Sequence, residues 1–184
     1  MIEANPTMVR DLLNLSYVKR WVVAPLHREQ SVAEHSFRVM VILRGLWTIL
    51  QHMGYPFDQH RALVEAMDHD LDEVYSGDMP GPVKDAGGKQ WPDPSNLMRW
   101  EIAVKVADSL ETWYWWHIHG DRTWTYPKKP ASGRDCRDIK KILHYTREWP
   151  EMWDAVCALV AATMCVDQLT LQSTFDRKGP PYQL

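Results

Sequence analysis

The sequence lacks a strong charge of either sign, long apolar runs and clear strand patterns. Its formal net charge is −3 over 184 residues, so it offers no basic face for coating nucleic acid. No apolar run approaches the roughly 20 residues of a membrane span. We therefore expect the chain to act on neither nucleic acid nor membranes.

Cysteine is also scarce. Cys136, Cys157 and Cys165 are odd in number and contain no CxxC pair. No signal peptide is recognisable at the N-terminus. This usage predicts reduced thiols and a cytoplasmic location.

Helical periodicity fills most of the chain, and Pro and Gly clusters separate the helical segments. The pattern predicts an all-α fold with about six helices in one domain over residues 1–184. The helices are expected at about 7–19, 32–53, 59–75, 96–119, 135–148 and 150–173. Residues 76–95 and 120–133 are expected to be loops, and the last twelve residues a tail.

Tryptophan is abundant instead. Five of the ten Trp residues lie between positions 91 and 116. Such a number fits aromatic walls of a pocket or a subunit interface, and it fits bulky core filling equally well.

Two helix starts carry capping patterns. Ser31 and Glu34 form a capping box ahead of an apolar helix, and His35 falls in the first turn of that helix. Asp58 is expected to cap the third helix.

The third predicted helix carries an ionisable cluster near its end. His69 and Asp70 are adjacent, and Glu73 follows at helical spacing on the same face. Together with Asp68 and Asp72 these residues fit a solvated helix face. The apolar residues at 62–67 argue instead that the pair is carried towards the core, where it needs hydrogen bonds or a cation.

Asp108 stands among apolar residues of a long helix, where it is costly unless paired. Lys105, one turn earlier, is the simple ion-pair partner. In combination, His35, His69, Asp70 and Asp108 form a mixed nitrogen and oxygen ligand set suited to one divalent transition metal. Such a metal would activate water and neutralise charge on a phosphate, with Glu73 as a nearby acid or base.

The order of these residues resembles the H…HD…D motif of the HD-domain phosphohydrolases. The similarity extends to the motif set of the bacterial 5'-deoxynucleotidase branch, over a metal-site core of about residues 20–110. The matching blocks are Arg20-Trp21, Ser31-Val32-Ala33-Glu34-His35-Ser36, His69-Asp70-x-x-Glu73-Val74, Ser76-Gly77-Asp78-x-Pro80-x-Pro82-Val83-Lys84 and Lys105-x-x-Asp108.

The resemblance implies a role for each matching residue. The metal ligands would be His35, His69, Asp70 and Asp108, with Glu73 and Asp70 as the catalytic pair. Arg20 would contact phosphate, Trp21 would occupy the place of a ribose 2'-hydroxyl, and Asp78 would accept from the 3'-hydroxyl. Lys84 and Lys105 would hold outer phosphates.

The chain departs from that branch in one respect, because only 20 residues separate Lys84 from Lys105. In this it is more similar to the phage HD phosphohydrolases that split dATP into deoxyadenosine and triphosphate. Trp21, Val23 and Pro80 would then shape a base and sugar pocket that excludes a 2-amino group. A phage-encoded chain of this kind would work in the host cytoplasm.

Several functions are consistent with these motifs. The leading one is hydrolysis of a deoxynucleoside triphosphate, with dATP preferred. The alternatives are a 5'-deoxynucleotidase acting on a monophosphate, a phosphohydrolase for a nucleoside-analogue phosphate and a non-catalytic nucleotide sensor. The expected cofactor is zinc, cobalt, manganese or nickel, with further magnesium accompanying a triphosphate, and the expected assembly is a homo-oligomer.

Overall fold

The structure is a computed structural model, and it describes residues 6–22, 26–79, 90–120 and 137–164. These residues confirm the all-α prediction. They form six α-helices of nine residues or more and one single-turn α-helix. They are α1 Pro6–Asn14, α2 Val32–His52, α3 Gln59–Asp68, α4 Glu73–Ser76, α5 Arg99–His119, α6 Arg137–Thr146 and α7 Pro150–Met164. None of the helices described combines the length and apolarity needed to cross a bilayer.

The start of α2 follows the sequence pattern in part. The Ser31 hydroxyl accepts a hydrogen bond from the Glu34 amide at 3.1 Å, as the capping box predicts. The Glu34 carboxylate instead accepts from Arg28 at 2.8 Å. The cap at Ser31 orients the first turn of α2, which carries His35.

Replacing Ser31 by alanine removes this cap. We expect Ser31→Ala to lower the free energy of unfolding by about 1 kcal/mol, because one amide at the helix start loses its acceptor. Urea denaturation of the metal-free protein measures the change. Ser31→Asp keeps an acceptor and serves as the control, and equal stability of Ser31→Ala and the native chain would contradict the role of the cap.

The third helix is shorter than the sequence predicts. Asp58 caps it as expected, accepting from the Arg61 amide at 3.0 Å, but α3 ends at Asp68 and residues 69–72 form a turn before α4. The prediction of one helix over 59–75 was therefore wrong. The His-Asp pair lies at the end of a helix, and Glu73 opens the next one.

The other helix boundaries differ less from those predicted. The first predicted helix divides into α1 and a short 3₁₀ helix, Leu15–Tyr17. The long helix begins at Arg99 after a second 3₁₀ turn, Pro94–Asn96. The predicted loops over 80–89 and 121–133, the extension of the last helix beyond 164 and the tail lie outside the described residues.

The core forms where α2 and α5 pack together, with α3, α6 and α7 around them. Its apolar side chains include Leu43, Leu46, Val106 and Leu110. Trp115 and Trp149 are buried, and five further tryptophans pack partly buried against this core: Trp47, Trp91, Trp100, Trp113 and Trp153. Of the two readings of the tryptophans, core filling accounts for these seven.

Candidate metal centre and substrate site

Four of the sequence-predicted residues meet where three helices approach one another. His35 comes from α2, His69 and Asp70 from the turn after α3, and Asp108 from α5. One ligand atom each from His35, His69 and Asp108 lie within 4.8 Å of one another. The Asp70 Oδ2 atom is 3.3 Å from His69 Nε2 and 3.6 Å from His35 Nε2.

The donor set fits a divalent metal. His35 Nε2 and His69 Nε2 are buried and face carboxylate oxygens of Asp108 at 3.2 Å and Asp70 at 3.3 Å, without a hydrogen bond of acceptable geometry to the described residues. Buried polar nitrogens of this kind are costly without a partner. Two imidazole nitrogens and two carboxylates are suitable ligands for zinc, cobalt, manganese or nickel.

The other nitrogen of each imidazole is occupied. His35 Nδ1 lies 2.6 Å from Glu111 Oε2, and His69 Nδ1 lies 2.9 Å from the Ala66 carbonyl oxygen. Metal binding requires the neutral imidazoles, in which each Nδ1–H donates to these acceptors and the Nε2 lone pair faces the cluster. This arrangement is the usual outer support of metal-bound histidine.

Opposing charges set the protonation of the centre. Burial raises the pKa of Asp108, but the Lys141 ammonium and His35 hold it well below its usual range. Burial and Arg20 lower the pKa of His35, whereas the Asp108 and Glu111 carboxylates raise it to a net value above normal. Asp108 is thus a carboxylate at neutral pH, as metal binding requires.

Glu73, the expected acid or base, is the first residue of α4 and is only 4% exposed. The α3–α4 turn that carries His69 and Asp70 leads directly into it. The Glu73 amide donates to the Asp70 carbonyl oxygen at 3.0 Å, so a turn rather than a continuous helix keeps Glu73 next to the His-Asp pair.

Three expected substrate-binding residues also converge. The Trp21 amide donates to Asp78 Oδ2 at 3.1 Å, and Arg20 Nε lies 4.0 Å from the same oxygen. Arg20 Nε and Nη1 are buried and make no hydrogen bond to the described residues. A buried guanidinium with unused donors suits a phosphate, which accepts bidentate hydrogen bonds.

The other substrate-binding residues expected from the sequence are Val23, Pro80, Lys84 and Lys105. Val23, Pro80 and Lys84 lie outside the described residues. Within the described part of the chain Lys105 forms no ion pair with Asp108, so that simple explanation of Asp108 is wrong. Its cationic neighbour is Lys141 on α6, with Nζ 3.6 Å from Asp108 Oδ2.

Sequence reasoning missed four residues of the site. They are Gln30, Arg38, Glu111 and Lys141. Glu111 and Arg38 each lie three positions after a predicted ligand, so a repeat of polar residues on an apolar helix face was the available signal. Nothing in the sequence pairs Lys141 with Asp108, because they are distant in the chain.

Asp138, one turn before Lys141, is a titratable neighbour of the centre. Burial and the Asp108 carboxylate raise the pKa of Asp138 from 3.8 to about 6, although Lys141 lowers it. Folding therefore favours the neutral acid. Ionised Asp138 destabilises the folded state, with a cost that grows from about pH 4 and is complete above about pH 6.

We expect Asp138→Asn to raise the free energy of unfolding of the metal-free protein at pH 8 by ~2 kcal/mol. The gain should shrink through pH 6 and vanish near pH 4, where both side chains are neutral. Urea denaturation at several pH values measures it. Asp154→Asn, an exposed position on α7, is the control, and a pH-independent effect of Asp138→Asn would contradict the assignment.

An all-helical fold in which His and Asp residues from two helices and one interhelical turn surround one centre defines the class of HD-domain phosphohydrolases. A family model described as 5'-deoxynucleotidase YfbR-like matches residues 8–89. The chain belongs to the YfbR-like family of HD phosphohydrolases.

Two curated relatives carry the same activity in their names. A dATP triphosphohydrolase of Salmonella phage PMBT28 is 32% identical over 131 residues, covering 61% of this chain and 67% of the relative. A dATP triphosphohydrolase of Acinetobacter phage SH-Ab 15497 is 30% identical over 140 residues, covering 62% and 68%. An HD-domain phosphohydrolase from Listeria innocua shares the fold, with a TM-score of 0.56, 15% identity and coverage of 94% and 92%.

Proposed function

We propose that this enzyme hydrolyses a deoxynucleoside triphosphate, with dATP preferred, to the deoxynucleoside and triphosphate. The observation that carries the proposal is the pairing of two sites. A cluster of His35, His69, Asp70 and Asp108 interacts electrostatically with Arg20, whose buried Nε and Nη1 atoms make no hydrogen bond to the described residues. The names of the two phage relatives support dATP as the substrate.

A divalent transition metal held by these four residues would make water a stronger nucleophile and neutralise charge on the phosphate. Zinc, cobalt, manganese and nickel all suit the ligands, and magnesium would accompany the triphosphate. Arg20 would hold the phosphate in place for attack, and Lys84 and Lys105 would contact the outer phosphates.

The residues of the chain account for the bond changes. Water adds its oxygen to the α-phosphorus, and the bond from phosphorus to the 5'-oxygen breaks. Glu73 would carry a proton to the departing 5'-oxygen or orient the water, and Asp70 would assist as ligand and base. Trp21 and Asp78 would select deoxyribose, with Val23 and Pro80 against the base.

The second candidate is a 5'-deoxynucleotidase, which the description of the matching family model favours. It breaks the same phosphorus–oxygen bond in a monophosphate, so the metal centre serves both. The two activities differ in whether the enzyme also contacts the β- and γ-phosphates of the substrate.

Product analysis tests the proposal. The protein is stripped of metal, reconstituted with cobalt or zinc, and incubated separately with dATP, dAMP and ATP. Deoxyadenosine and intact triphosphate from dATP, with ATP spared, is the expected result. Phosphate release from dAMP alone would replace the proposal by the second candidate, and no turnover with metal bound would favour a sensor.

The homo-oligomer remains part of the proposal, as does a location in the host cytoplasm. Exposed apolar side chains at four-residue spacing, Val9, Leu13 and Tyr17, support a subunit contact along α1 and the turn after it. Sedimentation at micromolar concentration tests this, and a monomer would count against it.

A further inference from the structure

Trp21 has a backbone conformation that needs support. Its φ angle is 64°, the left-handed region that non-glycine residues rarely adopt. Two hydrogen bonds hold it: its amide donates to Asp78, and its indole Nε1–H donates to Gln30 Oε1 at 3.0 Å. Such strain persists only where the surroundings determine the conformation.

Gln30 joins Trp21 to the interior. It is 1% exposed, and its Nε2 donates to Glu111 Oε1 at 2.9 Å. Its backbone carbonyl oxygen accepts from the Arg20 amide at 2.9 Å, beside the antiparallel bridge between Lys19 and Ser31. In the Gln30 side chain, Oε1 accepts from Trp21 and Nε2 donates to Glu111, so both polar atoms are used.

Glu111 completes the connection on α5. Its carboxylate is fully buried and accepts from Gln30, from Arg38 Nε at 2.6 Å and from His35 Nδ1 at 2.6 Å. Arg20 Nη1 lies 3.8 Å from its Oε2 atom. A buried carboxylate needs such partners, and these lead to both the metal centre and the sugar side.

The geometry points to a hydrogen-bonded relay, Trp21–Gln30–Glu111–His35, which runs from the half-buried Trp21 to the buried His35 and in which Gln30 and Glu111 are positioning residues. We propose that the relay holds the Trp21 ring where it discriminates deoxyribose from ribose and holds His35 in the orientation that binds metal. The sugar half of this inference rests on the proposed function. The metal half, the orientation of His35, rests on the hydrogen bonds alone.

The sugar half is tested with Gln30→Met, which keeps the length of the side chain but neither accepts well from Trp21 nor donates to Glu111. The ratio of kcat/KM for dATP to that for ATP is expected to fall about tenfold or more. Exchange of the Trp21 indole proton with solvent should accelerate, with its NMR signal identified from Trp21→Phe. Metal affinity should change by less than in Glu111→Gln.

The metal half is tested with Glu111→Gln, which keeps shape but removes the charge that accepts from His35. The dissociation constant for cobalt, measured by titration calorimetry, is expected to rise about 10- to 100-fold. This readout needs no turnover. It also keeps the relay testable if Gln30→Met fails to fold.

Thr146→Val is the matched control, because it removes a buried hydroxyl that donates to the Ile142 carbonyl oxygen outside the relay. It should lower the melting temperature and leave the sugar ratio, indole exchange and metal affinity unchanged. If Gln30→Met and Glu111→Gln behave like Thr146→Val, the relay is merely structural and the inference is overturned. If the native protein hydrolyses no nucleotide while indole exchange and cobalt affinity respond as expected, the proposed function fails and the relay stands.

Discussion

Asp108→Asn is expected to abolish metal binding at the centre and to reduce hydrolysis of dATP by a factor of about 10³ or more. The carboxylate lies 3.2 Å from His35 Nε2 and is held ionised beside Lys141. An amide has no charge to offer a divalent cation. Metal catalysis contributes several kcal/mol to a phosphoryl reaction, and ~4 kcal/mol corresponds to about 10³ in rate.

Metal content after dialysis and the turnover of dATP are measured together. The exposed Asp154→Asn is the control and should retain both. Because Asp108→Asn also removes the partner of Lys141, its melting temperature without metal shows whether the fold survives. A folded variant that keeps stoichiometric metal and normal turnover would remove Asp108 from the ligand set.

Glu73→Gln is expected to lower kcat by about 10²- to 10⁴-fold while metal content stays at the native level. The reason is that the glutamine side chain keeps the shape of Glu73 but neither gives up nor takes a proton, which is the usual contribution of a general acid or base. Single-turnover kinetics with dATP isolates the chemical step from product release.

Glu65→Gln provides the matched control, because Glu65 is an exposed residue on α3. It should leave kcat and metal content unchanged. Loss of metal in Glu73→Gln would make Glu73 a ligand or a structural residue. Unchanged kcat would remove it from the proton transfer altogether.

The helical class of this fold was predictable because local patterns determine it. Apolar periodicity and the caps at Ser31 and Asp58 are properties of neighbouring residues. The break after Asp68 was missed because residues 69–75 retain helix-like spacing. Only tertiary contacts decide whether such a segment continues as a helix.

The candidate centre was predictable to the extent that the order of motifs reveals it. His35, His69, Asp70 and Asp108 were named from the sequence, and their side chains lie together in the structure. Lys141 and Gln30 were not predicted, because their partners, Asp108 and Glu111, are brought to them by packing rather than by spacing. Long-range hydrogen bonds of this kind leave no periodic signal.

The most direct measurement is hydrolysis of dATP by the cobalt-loaded protein in ¹⁸O-labelled water, followed by mass spectrometry of both products. Attack of water on the α-phosphorus predicts one ¹⁸O atom in the triphosphate and none in the deoxyadenosine. Label in the deoxyadenosine, release of pyrophosphate or single phosphates, or the same turnover after removal of the metal would contradict the account.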